Sequence, residues 1–142
     1  MEKVALITGA SSGIGKEVAR IHAENGRDLV LVARSAGKLE ALKNELEQKF
    51  NIQVMLVVKD LSQPDAPKEV YDEVIKAGIE VEYLINNAGF GGLGKFHERE
   101  WEKDLAMINL NITALTALTR FFLFYFVQRN RGKILNVLST AS

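Results

Sequence analysis

Three glycines near the start of the chain have a spacing that could hold a phosphate group. Residues 8–15 read TGASSGIG, which places Gly9, Gly13 and Gly15 directly after an apolar run. Glycine has no Cβ, so a ligand can approach its backbone, and the free N–H groups at the start of a helix attract negative charge. The spacing differs from the commonest dinucleotide fingerprint, and a P-loop would require Gly at position 10 and Ser or Thr at position 17. The pattern therefore favours a phosphate-binding loop over an ordinary glycine-rich turn.

Further polar residues follow the other apolar runs. Arg34 comes at the end of the second run, and Asp60 follows the third. After the second run, an acid would accept hydrogen bonds from an adenosine ribose, whereas the Arg34 guanidinium can hold a 2′-phosphate through two N–H groups. Simpler interpretations are also open. Arg34 can be a solvated residue that ends a strand, and an aspartate that begins a loop is an ordinary turn former.

Short apolar runs alternate with amphipathic segments along the whole chain. We predict strands at 4–7, 29–33, 52–58, 83–86 and 133–138, and helices at 14–26, 39–50, 64–78 and 99–128. This alternation predicts an α/β fold with a Rossmann-like doubly wound parallel sheet in strand order 3-2-1-4-5. Residues 1–142 should form a single Rossmann domain that is incomplete, with its C-terminal half missing.

Two motifs carry a resemblance to a known family. Residues 8–15 resemble the T-G-x-x-x-G-x-G cofactor motif of short-chain dehydrogenases/reductases, and residues 86–89, NNAG, resemble that family's second signature. In this family an arginine after the second strand is associated with NADP(H), so the resemblance implies that cofactor. It implies the following cofactor-binding residues: Gly9, Ser11, Ser12, Gly13, Ile14, Gly15, Arg34, Asp60, Leu61, Asn87, Ala88 and Gly89. A weaker additional contact is expected from Lys38.

The resemblance also implies two catalytic residues. Asn111 matches the family's asparagine that holds a water in a proton relay, although Asn109 competes on sequence grounds alone. Ser139 matches the serine that orients the substrate carbonyl. The family's tyrosine and lysine would follow beyond that serine, and no tyrosine of this chain has a lysine four residues later. We therefore expect the chain by itself to be inactive.

The implied reaction is hydride transfer between the nicotinamide and a carbonyl or alcohol carbon of a small molecule, in the broad-specificity reductase branch. The alternative is a catalytically inert module that binds NADP(H). A methyltransferase is a poorer third, because it would normally want an acid at Ala33.

Composition narrows the classes of partner. The chain has 142 residues, 18 basic and 18 acidic side chains and no cysteine. Balanced charge predicts no nucleic acid or membrane partner, and the absence of cysteine suits the cytoplasm. His22 and His97 lack metal-ligand spacing, so no metal site is expected. The most apolar window, 114–127, contains Arg120 and is too short to span a bilayer.

Two helices are expected to bury apolar residues. The first helix should bury Ile14, Val18 and Ile21. The run at 121–126 is apolar all round its helix, which predicts burial on more than one side, either in a core or in a subunit interface. Because the fifth strand would leave an open apolar edge, we expect a homo-oligomer.

Overall fold

The computed structural model describes residues 1, 3–89 and 94–137 of the chain. Its strands form one parallel sheet in the order β3-β2-β1-β4-β5, which confirms the predicted fold class and strand order. The elements are β1 (Val4–Thr8), α1 (Gly13–Glu24), β2 (Leu29–Ala33), α2 (Ala36–Lys49), β3 (Val54–Val58), α3 (Ala66–Lys76), β4 (Val81–Asn86), a 3₁₀ turn (Phe96–Glu98), α4 (Trp101–Ile108), a π-helical segment (Asn109–Ala114), α5 (Leu115–Arg129) and β5 (Lys133–Asn136).

The two central strands are covered on both faces. Every residue of β1 and β2 is buried. On one face, Val4 and Leu6 pack in a core with α3 and α5, and on the other, Ala5 and Ile7 pack in a core with α1 and α2. A continuous apolar run is what a parallel strand buried on both faces requires. The loops that follow β1 and β2 therefore start from a well-packed base.

The first helix buries a different side from the predicted one. Ile14 and Ile21 are 60% and 55% exposed, so the expected buried stripe is wrong at both positions. The physical reason is distance. A Cβ at Gly15 would lie 2.2 Å from the Gly9 carbonyl oxygen, so the helix lies too close to the loop for a large side chain. Small residues face the sheet instead, namely Gly15, Ala19 and Ala23.

The long helix runs continuously from α4 to α5, with the π-helical segment between them. Leu118, Phe122 and Phe126 lie at every fourth position of α5 and are buried against the sheet and α3. In contrast, Leu123 is 48% and Phe124 65% exposed. Within this chain the run at 121–126 is buried on one side, and burial of a second side by a partner subunit or by a missing part of the domain stays a prediction. One helix face meets the core, and a second apolar face remains uncovered.

The same helix is longer than the apolar window seen in the sequence. Within the described residues, Trp101–Arg129 spans 29 residues, and its best window has a mean hydropathy of 1.5. By length and composition alone it could cross a membrane, a test that core helices of soluble proteins also pass. Leu118 and Phe122 pack against the sheet, and 22% of that window is buried within the described residues.

Candidate cofactor-binding site

A cleft of about 610 Å³ lies across the carboxyl ends of β1 to β4. Parallel strands of doubly wound sheets bind ligands at this end, near the point where strand order reverses. Every predicted cofactor residue except Gly13 and Gly15 lines the cleft. The lining also includes residues that sequence reasoning did not single out, namely Val32, Ser35, Lys59 and Leu110. Ser35 and Lys59 stand directly beside predicted residues in the chain, which is the only signal that could have found them.

The glycine loop is shaped by close contacts that a side chain would prevent. Gly9 has φ of 61°, and a Cβ there would lie 2.9 Å from the Ala88 Cα. A Cβ at Gly15 would also lie 2.4 Å from the Asn87 side-chain nitrogen. These two glycines therefore let the loop after β1, the loop after β4 and the first turn of α1 pack against one another. Gly15 contributes through this packing and not as part of the cleft wall.

The entrance to α1 has free hydrogen-bond donors. Ser12 precedes the helix and, among the described residues, its hydroxyl makes no capping hydrogen bond. Gly13 has φ of 57° and lies in open space. The first N–H groups of a helix lack partners within the helix and carry partial positive charge. The loop therefore offers the Ser12 hydroxyl and backbone N–H groups to an anion in the cleft.

A buried threonine joins the loops of β1 and β4. The Thr8 Oγ1 accepts hydrogen bonds from the backbone N–H groups of Asn87 and Ala88, each at 2.9 Å. The Asn87 side-chain amide donates to the Gly9 carbonyl at 3.1 Å. Thr8 is 2% exposed, so these bonds do not compete with water. The Asn87 side chain thus braces the two loops, and Asn87, Ala88 and Gly89 all line the cleft.

The end of the cleft beside β2 and β3 is cationic. Arg34, Lys38 and Lys59 all line it, together with one acid, Asp60. Lys59 Nζ lies 2.8 Å from a carboxylate oxygen of Glu69, so its charge is already balanced. Neither Arg34 nor Lys38 is in an ion pair with any residue that the structure describes. This part of the cleft therefore presents two cations that form no ion pair within the described residues, with the Asp60 carboxylate nearby.

Asp60 forms a turn and also lines the cleft. Its Oδ1 accepts from the backbone N–H of Ser62 at 3.0 Å and from the Ser62 hydroxyl at 2.7 Å. Partial burial would raise the pKa of Asp60, but the hydrogen bonds from Ser62 and the charge of Arg34 outweigh it and hold the pKa below its usual range. Asp60 is therefore an anion at neutral pH, with one oxygen occupied by the turn.

The predicted catalytic residues have different outcomes. Asn111 lies in the π-helical segment, and a Cβ at Gly89 would lie 2.6 Å from its Oδ1. The structure thus brings Asn111 against a residue of the cleft wall, as an insertion that widens a helix can do at functional positions. Ser139 lies outside the described residues. Within them, no group of His, Asp or Glu side chains has the arrangement of a metal site.

Comparison with known proteins agrees with this geometry. The chain matches the family model for short chain dehydrogenase over residues 3–142. It is 37% identical to the NADP-dependent 3-hydroxy acid dehydrogenase of Schizosaccharomyces pombe, covering 98% of this chain and 54% of that protein. It is 32% identical to the human very-long-chain 3-oxoacyl-CoA reductase, covering 95% of this chain and 44% of that protein. The chain therefore spans about half the length of the curated relatives it matches.

Solved structures give the same result. A short-chain dehydrogenase from Sphingobium yanoikuyae in complex with NADPH superposes with a TM-score of 0.90 at 39% identity, covering 96% of this chain and 54% of that one. The bulky-bulky ketone specific alcohol dehydrogenase from Comamonas testosteroni superposes with a TM-score of 0.91 at 34% identity, covering 97% and 55%. Together with the motifs, the sheet order and the cleft, these matches assign the protein: the chain belongs to the short-chain dehydrogenase family.

Proposed function

We propose that this chain is the NADP(H)-binding portion of a short-chain oxidoreductase that transfers hydride between the nicotinamide and a carbonyl or alcohol carbon. The observation that carries the proposal is the cleft. The glycine loop after β1 offers donors to an anion, and Arg34 and Lys38 after β2 offer positive charge. A relative from Schizosaccharomyces pombe is named NADP-dependent, and a structural neighbour was solved with NADPH, which supports the same cofactor.

The residues of the loop fit a pyrophosphate. The Ser12 hydroxyl and the first N–H groups of α1 are donors without partners in the described chain. Gly9 keeps the loop clear of side-chain bulk, because a Cβ there would collide with the chain after β4. An anion at this place would replace the missing partners of the helix N-terminus. We therefore assign the pyrophosphate to this loop.

The cationic end fits a 2′-phosphate. Ala33 occupies the position where an acid would bind a ribose hydroxyl, and Arg34 follows it. A guanidinium presents paired N–H donors that match phosphate oxygens, and Lys38 adds a second charge. Ser35 lines the cleft between them. We therefore assign the 2′-phosphate of NADP(H) to this end and expect NADPH to be preferred over NADH.

The nicotinamide end would lie beside Ala88 and Gly89. Bound NADPH would supply the hydride. Asn111 would hold a water that passes a proton, and Ser139 would donate a hydrogen bond to the substrate carbonyl oxygen. A serine hydroxyl is too weak an acid to protonate an alkoxide efficiently without a partner. Hydride transfer by this chain therefore also requires a proton donor that Ser139 and Asn111 do not provide.

The alternative is a module that binds NADP(H) without chemistry, and the lack of a suitable proton donor in the sequence favours it. Among the three tyrosines, Tyr125 has a cation four residues later, Arg129, and the two side chains are hydrogen-bonded. However, Arg129 ends α5 just before β5 begins, so this pair lies near the amino ends of the strands, away from the cleft. No tyrosine–lysine pair with the family spacing exists in these 142 residues. As it stands, the chain is expected to bind the cofactor without turning it over.

Cofactor titration tests the binding proposal. Charge-assisted hydrogen bonds contribute roughly 1.5–3 kcal/mol each, so the chain should prefer NADPH to NADH by at least about tenfold. Arg34→Asp should move the preference toward NADH, because an acid repels the 2′-phosphate and accepts from a ribose hydroxyl. Arg27→Asp is a matched charge reversal outside the cleft and should leave the ratio unchanged. Equal affinities of the native chain for the two cofactors would contradict the proposal.

We further propose that the protein is a cytoplasmic homo-oligomer. The support for association is the open β5 edge, where Leu135 is 52% exposed. An unpaired apolar strand is a template for pairing with another chain. The support for the compartment is the absence of cysteine.

A further inference from the structure

A small cavity lies behind the cofactor cleft, between the ends of β1 and β4 and the long helix. Its volume is about 10 Å³, and its described lining has two polar residues, Thr8 and Asn86, among apolar ones. Three of the apolar residues, Leu61, Ala88 and Leu110, also line the cleft, so they form a common wall between the two spaces. One water molecule requires a volume of roughly 10–15 Å³ on this measure. The cavity therefore matches a single water and excludes larger ligands.

Asn86 brings an unpaired hydrogen-bond acceptor to this cavity. Its side chain is 3% exposed, and its Nδ2 donates to the Thr119 Oγ1 and the Asn136 Oδ1, each at 3.0 Å. Neither of these partners lines the cavity. The Oδ1, at the other end of the Asn86 amide, has no hydrogen-bond partner within the described residues. Because buried polar atoms of native proteins are nearly always paired, this oxygen calls for a donor.

Thr8 has the opposite deficit. Its Oγ1 accepts from the backbone N–H groups of Asn87 and Ala88, each at 2.9 Å, which occupies both of its lone pairs. The hydroxyl proton is left with the Ile85 carbonyl oxygen, 3.5 Å away. A good O–H···O hydrogen bond spans only about 2.5–3.0 Å. The cavity is therefore lined by a hydroxyl that lacks a good acceptor and by an amide oxygen that lacks a donor.

We propose that one buried water molecule occupies this cavity, where it accepts a hydrogen bond from the Thr8 hydroxyl and donates one to the Asn86 Oδ1. A water molecule can accept and donate at the same time. A cation would face the Thr8 proton, and an anion would face the Asn86 oxygen, so neither ion satisfies both groups. Asn111 is not among the described residues that line the cavity, so this water is distinct from the relay water assigned to Asn111.

The position of this water gives it a role in the cofactor site. Thr8 already joins the loops that follow β1 and β4. Ala88 and Leu110 separate the cavity from the cleft. A water bonded to Thr8 and Asn86 therefore supports the cleft wall from behind, and its displacement should weaken NADPH binding. This role rests on the proposed binding of NADP(H), whereas the water site itself does not.

Nuclear Overhauser effects between water and methyl groups, measured on the chain without cofactor, test the site. Leu118 and Leu6 are equally buried, at 1% and 0% exposed, but only Leu118 lines the cavity. The Leu118 methyl groups should show an effect to water with the sign of a long-lived, protein-bound molecule, and the Leu6 methyl groups should show none. If the Leu118 methyl groups show no effect to water, the cavity is dry and the proposal is overturned.

Ala114→Val tests what the water does. Ala114 is 2% exposed and lines the cavity, so the added methyl groups would enter the space of the water. This variant should lose the effect between water and Leu118, because the water is displaced. It should also unfold at a lower urea concentration and bind NADPH at least about threefold more weakly, because Thr8 and Asn86 lose their shared partner.

Ala23→Val is the matched control, since Ala23 is 1% exposed but packs in the core on the opposite face of the sheet. It should unfold earlier through overpacking alone, and keep both the Leu118 effect and the native NADPH affinity. An Ala114→Val chain that retains the Leu118 effect would overturn the water site. Loss of that effect with native NADPH affinity would refute the supporting role. If the native chain does not bind NADPH, the proposed function fails, and the measurement on Leu118 still decides the water site.

Discussion

The two halves of the sheet are built from similar apolar strands but differ in how they are covered. In the half formed by β1, β2 and their helices, every strand residue is buried. In the half formed by β4 and β5, Val81, Leu84 and Ile85 of β4 are buried, but in β5 Ile134 is only partly buried and Leu135 is 52% exposed. The difference shows that an apolar sequence specifies burial only where another element supplies a second surface. The cofactor cleft spans the loops that follow β1 to β4, whereas the β5 edge and the outer face of α5 are available to other molecules.

The largest expected effect is on catalysis. We expect no NADPH oxidation above background when the chain is mixed with a panel of ketones and aldehydes. The cleft can bind a hydride donor, but the chain has no tyrosine–lysine pair with the family spacing to supply positioned acid catalysis, which typically contributes about 10²–10⁴-fold. Fusing the C-terminal half of a family relative to this chain should restore activity, and Ser139→Ala in the fusion should remove it. Cofactor-dependent reduction by the chain alone would contradict the assignment.

Close packing around the glycine loop gives the next largest effect. Gly15→Ala should lower the free energy of unfolding by about 1–3 kcal/mol and abolish measurable NADPH binding, because the new Cβ would overlap the Gly9 carbonyl. Gly37→Ala is the control, since a Cβ at this α2 position meets nothing within 4 Å. That variant should be neutral or slightly stabilising. Urea denaturation and NADPH titration measure both quantities. A Gly15→Ala chain as stable as the Gly37→Ala chain would refute the packing argument.

Association should depend on the uncovered half. Leu135→Lys places a charge on the open β5 edge and should shift the chain toward monomer in sedimentation velocity at micromolar concentration. Ile21→Lys is a matched control, because Ile21 is similarly exposed, at 55%, but lies on the helix that covers the other half. It should leave the distribution unchanged. A native chain that already sediments as a sharp monomer would rule out association through this edge.

The smallest expected effect concerns the contact between the halves. The His22 ring on α1 packs 5.3 Å from the Tyr83 ring on β4, and the Arg27 guanidinium lies beside both. Partial burial and the charge of Arg27 lower the pKa of His22. Below about pH 6.5 the unfolded chain therefore binds a proton that the folded chain resists, and stability falls as pH falls. Comparing urea denaturation of the native chain and His22→Gln between pH 7 and 5.5 measures this, and parallel pH profiles would refute it.

Several features of the molecule could be predicted from the sequence. The alternation of apolar runs and amphipathic segments predicted the sheet and its order, because strand burial and helix amphipathicity leave different periods in the chain. Gly9 and Arg34, which were predicted from patterns local to the ends of strands, line the cleft, whereas Gly13 and Gly15 do not. Asp60, which the sequence also suggested, lines the cleft, while its turn through Ser62 appears only in the structure.

Only the tertiary structure decided which surfaces meet. Helical periodicity identified an apolar stripe at Ile14 and Ile21, but the short distance between Gly15 and Gly9 turned that stripe outward. Likewise, an apolar run on α5 does not record which of its sides will face a sheet. A sequence pattern encodes the period of a helix, whereas the buried side depends on the distance to its neighbour and on the room that each side chain requires. That distance is set by contacts between residues far apart in the chain, such as Thr8 with Asn87 and Ala88.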